Sequence, residues 1–472
     1  GPLIWRRRSP GMSAIIHSAL EAQRQLFASG ATRDVAGRKA RLRRLAEMIR
    51  AWDERILKSL KEDLGKPRIE AYLSEVHFVL DEIGYTLKRL DRWVRPRRVR
   101  SNVFNWPARS EIRCEPYGVV LILGPWNYPF QLVMAPLISA VAAGNCVVTK
   151  PSEQAPATAA LMRELVSECF DPNQVTTFTG GVEVAQGLLE ERFDYVFYTG
   201  NGAVARKVMS ACARHLTPVT LELGGKCPCI VDPRITLDRA VRRIARGKFM
   251  NAGQTCVAPD YVCVHESIYE EFVSRMQSTV ARFYGSEPGQ SPDYGRVVNE
   301  RHLDRLFDLL PERQRREGGH DRAGRFIAPT VVRDVGWNDR LMEEEIFGPI
   351  LPILPYSDLG SVLVEIGQRP KPLACYVFSE SVTVQERVLE SISSGGVCIN
   401  DTVMHITALN LPFGGVGESG MGRYRGRFGF ETFSHLRSVM RKGFRFDLFN
   451  VCPPYGSTLE RIKPFLRRRF WP

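Results

Sequence analysis

One cysteine of the chain stands in surroundings that suit a reactive thiol better than a packed one. Cys256 lies in the segment Asn251-Ala-Gly-Gln-Thr-Cys256-Val-Ala-Pro-Asp-Tyr261, without the apolar neighbours that usually surround a buried structural cysteine. A thiolate in an accessible loop acts as a nucleophile when a base or a positive charge activates it. No Lys, Arg or His lies within four residues of Cys256. The local sequence therefore leaves both a nucleophile and a structural cysteine open.

A second segment, Thr199-Gly-Asn-Gly-Ala-Val-Ala205, has the pattern G-x-G-x-x-A between a predicted strand and a predicted helix. In a dinucleotide-binding turn the glycines let the backbone approach a pyrophosphate, and a carboxylate about 20 residues further on binds a ribose. Glu222 follows Gly200 by 22 positions and matches that spacing. An ordinary tight turn between a strand and a helix is the alternative.

Two further segments carry polar groups next to predicted strand ends. Gly124-Pro-Trp-Asn127-Tyr-Pro offers an amide donor after an apolar strand, where open α/β sheets bind their ligands. Leu221-Glu222-Leu-Gly-Gly-Lys226 places a carboxylate beside two flexible glycines. Both segments are therefore candidate parts of a ligand site.

The elements that must hold these residues follow from the spacing of apolar side chains. Residues 13–93 have a helical pattern, and after residue 100 apolar strands alternate with helices, which indicates a parallel doubly wound sheet. Its predicted strands are 117–123, 146–149, 174–179 and 194–198, with a helix over 131–143. A second α/β domain is predicted from Cys229 to about Asn400, with strands 229–231, 261–264, 350–354 and 374–378. Arg95–Arg100 is predicted to be a basic connector.

The stretch 116–149 has no charged residue, and its length alone would suit a membrane span. Proline, glycine and asparagine interrupt it where turns are expected, so a buried strand, a turn and a buried helix explain it better.

Composition excludes disordered, collagen-like and coiled-coil proteins. With 472 residues, 44% hydrophobic and 25% charged, the chain is typical of a globular protein of two or three domains. Its eleven cysteines form no spaced framework and its histidines form no HExxH pair, so we expect a reducing, cytoplasmic compartment and no metal site. The net charge of +13 permits an anionic partner without identifying one, and we expect no nucleic-acid partner.

Taken together, these segments resemble the aldehyde dehydrogenase superfamily, and its class 3 branch most closely. The resemblance covers roughly residues 13–455, in the order and at the spacing of the family. It rests on Pro125–Phe130, Lys150–Glu153, Phe197–Gly200, Leu221–Lys226, Gly253–Cys256, Glu344–Pro349 and Leu411–Gly417. It implies an α/β fold with a Rossmann-type cofactor domain, an α/β catalytic domain and a small β bridging element.

The resemblance also implies a role for each site residue. Cys256 corresponds to the nucleophile, Glu222 to the general base, and the Asn127 amide with the Cys256 backbone N–H to the oxyanion donors. This replaces the ribose role that spacing alone suggested for Glu222. The implied cofactor-binding residues are Lys150 and Glu153 at the adenosine ribose, Thr199, Gly200 and Val204 in the glycine-containing turn, Glu345 at the nicotinamide ribose, and Phe347 beside the ring. For Glu345 a helix-start carboxylate is the alternative.

The chain departs from the family pattern in the same turn. Gly202 stands where threonine is usual, and Ala205 stands where glycine is usual. The departures concern the geometry of the following helix and the affinity for the cofactor, and they leave the implied reaction unchanged.

The implied activity is NAD(P)-dependent oxidation of a medium- or long-chain aliphatic aldehyde to a carboxylic acid, through a cysteine thiohemiacetal and a thioester. An aromatic or hydroxycinnamyl aldehyde is the alternative substrate. A catalytically inactive structural relative is a remote alternative, because Asn127, Glu222 and Cys256 are all present. Glu153 favours NAD, since its carboxylate would accept the 2′-hydroxyl and crowd the 2′-phosphate of NADP; NADP remains the second cofactor.

The resemblance further implies a division of the chain and a homodimer. Residues 13–94 and 118–222 would bind the cofactor, 223–405 would form the catalytic domain, 95–117 and 406–440 would bridge protomers, and 441–472 would form a tail. Apolar residues of the tail recur at helical spacing beside basic ones between Leu459 and Trp471. We hypothesise that this amphipathic helix makes peripheral contact with an acidic membrane surface. A terminal helix packed on its own subunit or on a partner is the alternative.

Overall fold

The computed structural model describes residues 10–102, 105–317, 319–445 and 451–470 of the chain. The helices within them are α1 (Pro10–Ala28), α2 (Val35–Ala51), α3 (Asp53–Leu64), α4 (Arg68–Ala71), α5 (Phe78–Trp93), α6 (Gln131–Ala143), α7 (Pro156–Cys169), α8 (Val182–Glu190), α9 (Gly202–Ala213), α10 (Leu237–Phe249), α11 (Tyr269–Tyr284), α12 (Glu300–Leu309), α13 (Glu312–Glu317), α14 (Leu359–Gly367), α15 (Val382–Ser391), α16 (Gly426–Thr432) and α17 (Thr458–Phe470).

The strands are β1 (Arg97–Val99), β2 (Arg109–Pro116), β3 (Val119–Leu123), β4 (Cys146–Lys150), β5 (Val175–Thr177), β6 (Tyr195–Thr199), β7 (Val219–Glu222), β8 (Pro228–Val231), β9 (Tyr261–His265), β10 (His320–Asp321), β11 (Phe326–Ile327), β12 (Thr330–Val332), β13 (Ile350–Tyr356), β14 (Ala374–Phe378), β15 (Gly396–Ile399), β16 (Gly420–Met421) and β17 (Ser434–Arg441). A π-helical turn, Tyr72–His77, and a 3₁₀ turn, Met250–Gly253, complete the elements that matter for the site.

The chain divides into two units by its internal contacts. The larger unit holds the residues up to Trp93 together with Pro116–Ser434, and the smaller unit holds Val94–Glu115 and the residues from His435 onward. All the candidate site residues belong to the larger unit.

The first sheet of the larger unit has six strands in the order β16-β7-β6-β3-β4-β5. Its neighbours run parallel except β16, which pairs antiparallel with β7. All residues of β3, α6 and β4 are buried, and α1 and α6 both contact β3 and β4. The prediction that the uncharged stretch forms buried strand and helix is confirmed, because strands covered on both faces need apolar side chains on both.

The second sheet also has six strands, in the order β12-β13-β9-β8-β14-β15, and all of them run parallel. Its core includes residues of α10, α11 and the buried strand β9. The predicted α/β fold class with two successive sheets is therefore confirmed.

Two local predictions were wrong in extent. The strand predicted over 174–179 is only β5, Val175–Thr177, because it lies at the edge of the first sheet and pairs with β4 alone. The predicted connector Arg95–Arg100 contains the strand β1, whose residues are exposed and pair antiparallel with β2. An apolar pattern could not have revealed β1, since all three of its residues are exposed.

The smaller unit contains a three-stranded sheet, β1-β2-β17, and the helix α17. The tail is helical, as the spacing of its apolar residues predicts, although Pro464 lies inside the helix. The side chains of Phe465, Leu466 and Phe470, and residue Trp471, lie outside the described part of the chain. Throughout the described residues, every helix is too short or too polar to cross a lipid bilayer.

Candidate active site

The candidate nucleophile Cys256 lies in the loop between α10 and β9. Before it the backbone turns sharply: Asn251 and Ala252 have left-handed φ angles of 53° and 52° and Gly253 has φ 76°. A Cβ on Gly253 would lie 3.0 Å from the backbone nitrogen of Pro349, so only glycine lets the segment 345–349 approach this loop closely. The loop places Cys256 half-buried, with its backbone carbonyl accepting a hydrogen bond from the Cys227 thiol at 3.4 Å.

Asn127 lies in the turn after β3 and is tied to the cysteine loop. Its side-chain Nδ2 donates to the backbone carbonyl of Gln254 at 3.1 Å, two residues before Cys256. Its own backbone carbonyl accepts from Asn251 Nδ2 at 2.9 Å and from Lys66 Nζ at 3.0 Å. The side chain is 4% exposed. The amide has two hydrogens, and the bond to Gln254 uses one of them.

Glu222 ends strand β7, and its carboxyl group is buried. The residue is 2% exposed, and neither carboxyl oxygen has a partner among the described residues. Burial raises the pKa of this carboxyl well above its usual value, because nothing nearby stabilises the charged form. A buried acid that receives no compensating hydrogen bond is costly, and such groups cluster at functional sites.

The Cys256 thiol interacts electrostatically with two carboxyl groups. The pKa of Cys256 is raised to about 12, first by burial and then by the carboxyl groups of Glu345 and Glu222, while the backbone N–H groups of Cys256 and Val257 oppose the rise. At neutral pH the thiol therefore holds its proton in the free protein.

Glu345 reaches the same site from the segment that precedes β13. A Cβ on Gly224 would lie 2.7 Å from Glu345 Cδ, so the glycine leaves the space that the carboxyl group occupies. Burial, then the nearby Asp260, raises the pKa of Glu345 to about 8. Asp260 orders this segment, because its Oδ1 accepts from Ile346 N at 2.9 Å while its Oδ2 pairs with Lys226 Nζ. Residues 345–347 lie in neither a helix nor a strand, so Glu345 does not start a helix.

Phe347 lies in the same segment with a left-handed φ of 52°. Its ring packs edge-on against Trp126 with 5.3 Å between centroids, and a hydrogen bond of 2.7 Å joins His302 Nε2 to its backbone carbonyl. Trp126 directly precedes Asn127, so the ring of Phe347 lies against the turn that carries the amide donor.

Five of the residues predicted to bind a dinucleotide lie at or shortly after the carboxyl ends of strands β4 and β6 of the first sheet: Lys150, Glu153, Thr199, Gly200 and Val204. The parallel register places Lys150 opposite Leu123, and Thr199 opposite Glu222, at the carboxyl ends of their strands. Lys150 Nζ and Glu153 Oε2 form an ion pair of 2.5 Å. Burial opposes ionisation of Glu153, but the hydrogen bond and charge of Lys150 together with hydrogen bonds from the Glu153 backbone and Gln154 outweigh it, so the pKa of that carboxyl is lowered.

The turn after β6 joins that strand to helix α9. The Thr199 hydroxyl is buried without a partner among the described residues, and Val204 is exposed in the first turn of α9. Asn201 caps that helix by accepting from Val204 N at 2.9 Å. The helix begins at Gly202 and buries Ala205, so both departures from the family pattern are compatible with α9.

The spacing of 22 residues between Gly200 and Glu222 has a simple structural origin. Helix α9 and the following strand β7 fill this interval, so any carboxylate at the end of β7 would match the ribose pattern. The register places Glu222 beside Thr199, and its charge raises the pKa of Cys256. The structure therefore brings Glu222 together with the thiol.

Sequence reasoning missed the residues that hold Asn127 in place. Asn251 and Gln254 bind it from the cysteine loop, and Lys66 and Glu75 lie beneath its turn. Glu70 accepts from Asn251 N at 3.0 Å, and burial raises its pKa to about 7. Charged residues inside a helical N-terminal segment carry no motif.

Across residues 10–102, 105–317, 319–445 and 451–470, no three His, Cys, Asp or Glu side chains are grouped so as to hold a metal ion. All eleven cysteines are free thiols.

The chain is similar to known proteins over nearly its whole length. A sequence model of the aldehyde dehydrogenase family matches residues 8–439. The 4,4'-diaponeurosporen-aldehyde dehydrogenase of Staphylococcus aureus (strain NCTC 8325 / PS 47) is 45% identical over 456 residues, which are 96% of this chain and 99% of that protein. A Mus musculus aldehyde dehydrogenase, named as dimeric and NADP-preferring, is 45% identical over 449 residues, 94% of this chain and 99% of that protein. The solved substrate-bound state of Staphylococcus aureus AldH matches with a TM-score of 0.92 and 44% identity, covering 95% of this chain and 99% of that chain.

Proposed function

The chain belongs to the aldehyde dehydrogenase family and is an aldehyde dehydrogenase, and on that premise we propose that it oxidises medium- or long-chain aliphatic aldehydes to carboxylic acids through a thioester on Cys256. The observation that carries this proposal is the buried, unpartnered carboxyl of Glu222 in electrostatic contact with the Cys256 thiol. A thiol, a base and the amide of Asn127 are the groups that acyl transfer through a cysteine requires.

The first half of the reaction uses Cys256 and Asn127. The Cys256 thiol releases its proton to solvent water, the resulting thiolate adds to the aldehyde carbonyl, and the carbonyl oxygen takes up the negative charge of the thiohemiacetal. The second amide hydrogen of Asn127 and the backbone N–H of Cys256 donate to that oxygen. Donors fixed in advance cost no reorganisation when the charge develops, and each contributes about 3 to 4 kcal/mol.

The second half uses Glu222. NAD, when bound, supplies the hydride acceptor that turns the adduct into a thioester. The carboxylate of Glu222 removes a proton from a water molecule, the water oxygen bonds to the thioester carbon, and the carbon–sulfur bond breaks. The carboxylic acid leaves, and Cys256 recovers its thiol. The raised pKa of Glu222 suits this task, because a base acts best when its pKa lies nearer the working pH.

The carboxyl ends of strands β4 and β6 are the proposed dinucleotide site. Lys150 and Glu153 would hold the adenosine ribose, the turn at Thr199, Gly200 and Val204 would lie along the pyrophosphate, and Glu345 with Phe347 would position the nicotinamide ribose and ring. The unsatisfied hydroxyl of Thr199 and the accessible carboxylate of Glu153 support this assignment. Glu153 favours NAD, because the 2′-phosphate of NADP would place negative charge next to its carboxylate.

An aliphatic substrate is supported by the segment that holds the site loops. Lys66 and Glu70 of this segment bind the Asn127 and Asn251 backbones, while Ile69, Tyr72 and Leu73 of the same segment are exposed to solvent. Exposed apolar side chains that neighbour Lys66 and Glu70 in sequence favour an apolar ligand over a charged one.

A panel of aldehydes tests the proposed function. Purified protein should reduce NAD in the presence of straight-chain aldehydes of medium and long chain length, with a higher kcat/KM than for benzaldehyde or cinnamaldehyde. The same panel with NADP should give a lower kcat/KM, since Glu153 crowds the 2′-phosphate. A preference for hydroxycinnamaldehyde would establish the aromatic alternative, and a preference for NADP, as named for the mouse relative, would overturn the role of Glu153.

The assembly and the division of labour along the chain belong to the same proposal. Residues 13–94 and 118–222 bind the cofactor, 223–405 supply catalysis, and 95–117 with 406–440 join two protomers in a homodimer. The mouse relative is named as dimeric, which supports the dimer.

The tail 441–472 is proposed to touch an acidic membrane surface through α17. Arg461, Lys463 and Arg467 are charged residues of this helix, while Leu459 and Ile462 are apolar. Flotation with liposomes that contain phosphatidylserine should carry the full chain upward, and a chain truncated before Leu459 should stay in the pellet fraction. Equal flotation of the two chains would remove the membrane role and favour packing of the helix on protein.

A further inference from the structure

Two oppositely charged side chains lie fully buried beneath the turn that carries Asn127. Lys66 Nζ and Glu75 Oε1 are 2.5 Å apart, and both side chains are 0% exposed. Lys66 follows the end of α3, and Glu75 lies in the π-helical turn Tyr72–His77. Neither residue belongs to the segments that resemble the family, and neither has a role in the proposed reaction.

Both members of the pair also bind the Asn127 turn. Lys66 Nζ donates to the backbone carbonyl of Asn127 at 3.0 Å and lies 4.0 Å from the centre of the Tyr128 ring. Glu75 Oε2 accepts from the backbone N–H groups of Phe130 at 3.1 Å and Gln131 at 2.8 Å. Lys66 therefore holds the turn at Asn127, and Glu75 holds it at Phe130 and Gln131, where α6 begins.

Glu75 also takes the place of a missing helix cap. Helix α6 begins at Gln131, and its N-cap residue Phe130 makes no side-chain capping bond. Free N–H groups at a helix start need an acceptor, and a carboxylate there is stabilised by the helix dipole. Glu75 supplies that acceptor from a distant segment and so fixes where α6 starts relative to Asn127.

The placement of this pair is not explained by stability alone. A buried ion pair regains little net free energy over apolar residues of similar size, because both charges lose their hydration. What the pair does provide is a fixed position for one carbonyl and two N–H groups of a turn that the sheet does not hold. Asn127 has a single side-chain amide to align with the Cys256 loop, and an error of about 1 Å in such a group can cost about 100-fold in rate.

We propose that Lys66, held by Glu75, is a positioning residue that aligns the Asn127 amide with the oxygen of the Cys256 adduct. The inference rests on the proposed function and adds to it a residue that touches neither substrate nor cofactor. Lys66 acts through the backbone of Asn127, so its effect requires the Asn127 side chain.

A double-mutant cycle tests this dependence. Lys66→Met removes the ammonium and keeps an unbranched side chain, and Asn127→Ala removes the amide. The kcat of Lys66→Met should fall by about 10- to 100-fold with little change in KM for the cofactor, by the cost of misplacing an oxyanion donor. In the Asn127→Ala background Lys66→Met should change kcat by less than about twofold, since residues that act as one unit are not additive.

Two readouts separate positioning from general damage to the fold. Hydrolysis of 4-nitrophenyl acetate without cofactor passes through an oxyanion on the Cys256 adduct, so it should fall with kcat. Alkylation of Cys256 by iodoacetamide displaces iodide at a saturated carbon and forms no oxyanion, so its rate should stay within about twofold of wild type. Loss of both rates together would show that the cysteine loop itself is disturbed and would overturn the proposal.

A comparison of two buried carboxyl groups, Glu75 and Glu82, tests the proposal even if Lys66→Met does not fold. Glu82 is as buried as Glu75, pairs with Arg425 at 3.0 Å and accepts from the backbone N–H of Gly426 at 2.7 Å, but makes no bond to the Asn127 turn. Glu75→Gln should lower ester hydrolysis at least tenfold more than Glu82→Gln, at comparable loss of thermal stability. Equal effects of the two substitutions, or wild-type kcat in Lys66→Met, would overturn the proposal. Absence of aldehyde oxidation by the wild-type chain would instead overturn the proposed function.

Discussion

Replacing Cys256 by alanine is expected to abolish aldehyde oxidation while leaving cofactor binding in place. Without the thiol no covalent adduct forms, and the oxyanion donors have no charge to stabilise. Loss of a nucleophile commonly lowers kcat by about 10⁴-fold or more. Steady-state reduction of NAD measures the loss, and calorimetric titration with NAD measures the retained binding, since the residues proposed to hold the dinucleotide do not include Cys256.

A second cysteine provides the control for this substitution. Cys375 is fully buried in β14, in the core of the second sheet, and makes no part of the proposed site. Cys375→Ala removes one thiol group, as Cys256→Ala does, and leaves a small cavity in the core. It should lower thermal stability while keeping most of the turnover. Substantial turnover in purified Cys256→Ala protein would contradict the assignment of the nucleophile.

Glu222→Gln is expected to trap the acyl enzyme. Glutamine fills the same space but cannot take a proton from water, so the thioester should form and then persist. Loss of a general base typically costs about 10² to 10⁴ in rate. Intact-protein mass spectrometry after a single turnover should show the mass of one acyl group on Cys256. Normal turnover without a trapped adduct would require a different base. Glu345 would then be the candidate, because its carboxyl group also interacts electrostatically with the thiol.

The pH dependence of deacylation follows from the same carboxyl group. Burial raises the pKa of Glu222 well above its usual value, so the group is protonated and inactive as a base at low pH. Deacylation should therefore speed up as the pH rises through this raised pKa, and the rise should be absent in Glu222→Gln. Single-turnover hydrolysis of a preformed acyl enzyme across a pH series measures it directly.

Much of the fold could be predicted because its strands are buried on both faces. The continuous apolar runs of β3, β4 and β14 correspond to fully buried strands and needed no partner to be recognised. The short edge strand β5 and the exposed strand β1 were misjudged, since their pairing depends on neighbours distant in sequence. Burial leaves a local pattern, whereas pairing at an edge does not.

The amino-acid sequence by itself determined the alternation of strands and helices, the identity of the candidate thiol, amide and carboxyl groups, and the family that their segments resemble. These features are local, because side-chain chemistry and short-range spacing specify them. Only the tertiary structure decided how the groups act on one another. It left the Glu222 carboxyl without a partner beside Cys256, let Glu345 approach over Gly224, and put Lys66 and Glu75 under Asn127. The physical reason is that desolvation and hydrogen bonding depend on which distant segments pack together, and folding alone brings residues 66, 127 and 256 to one place.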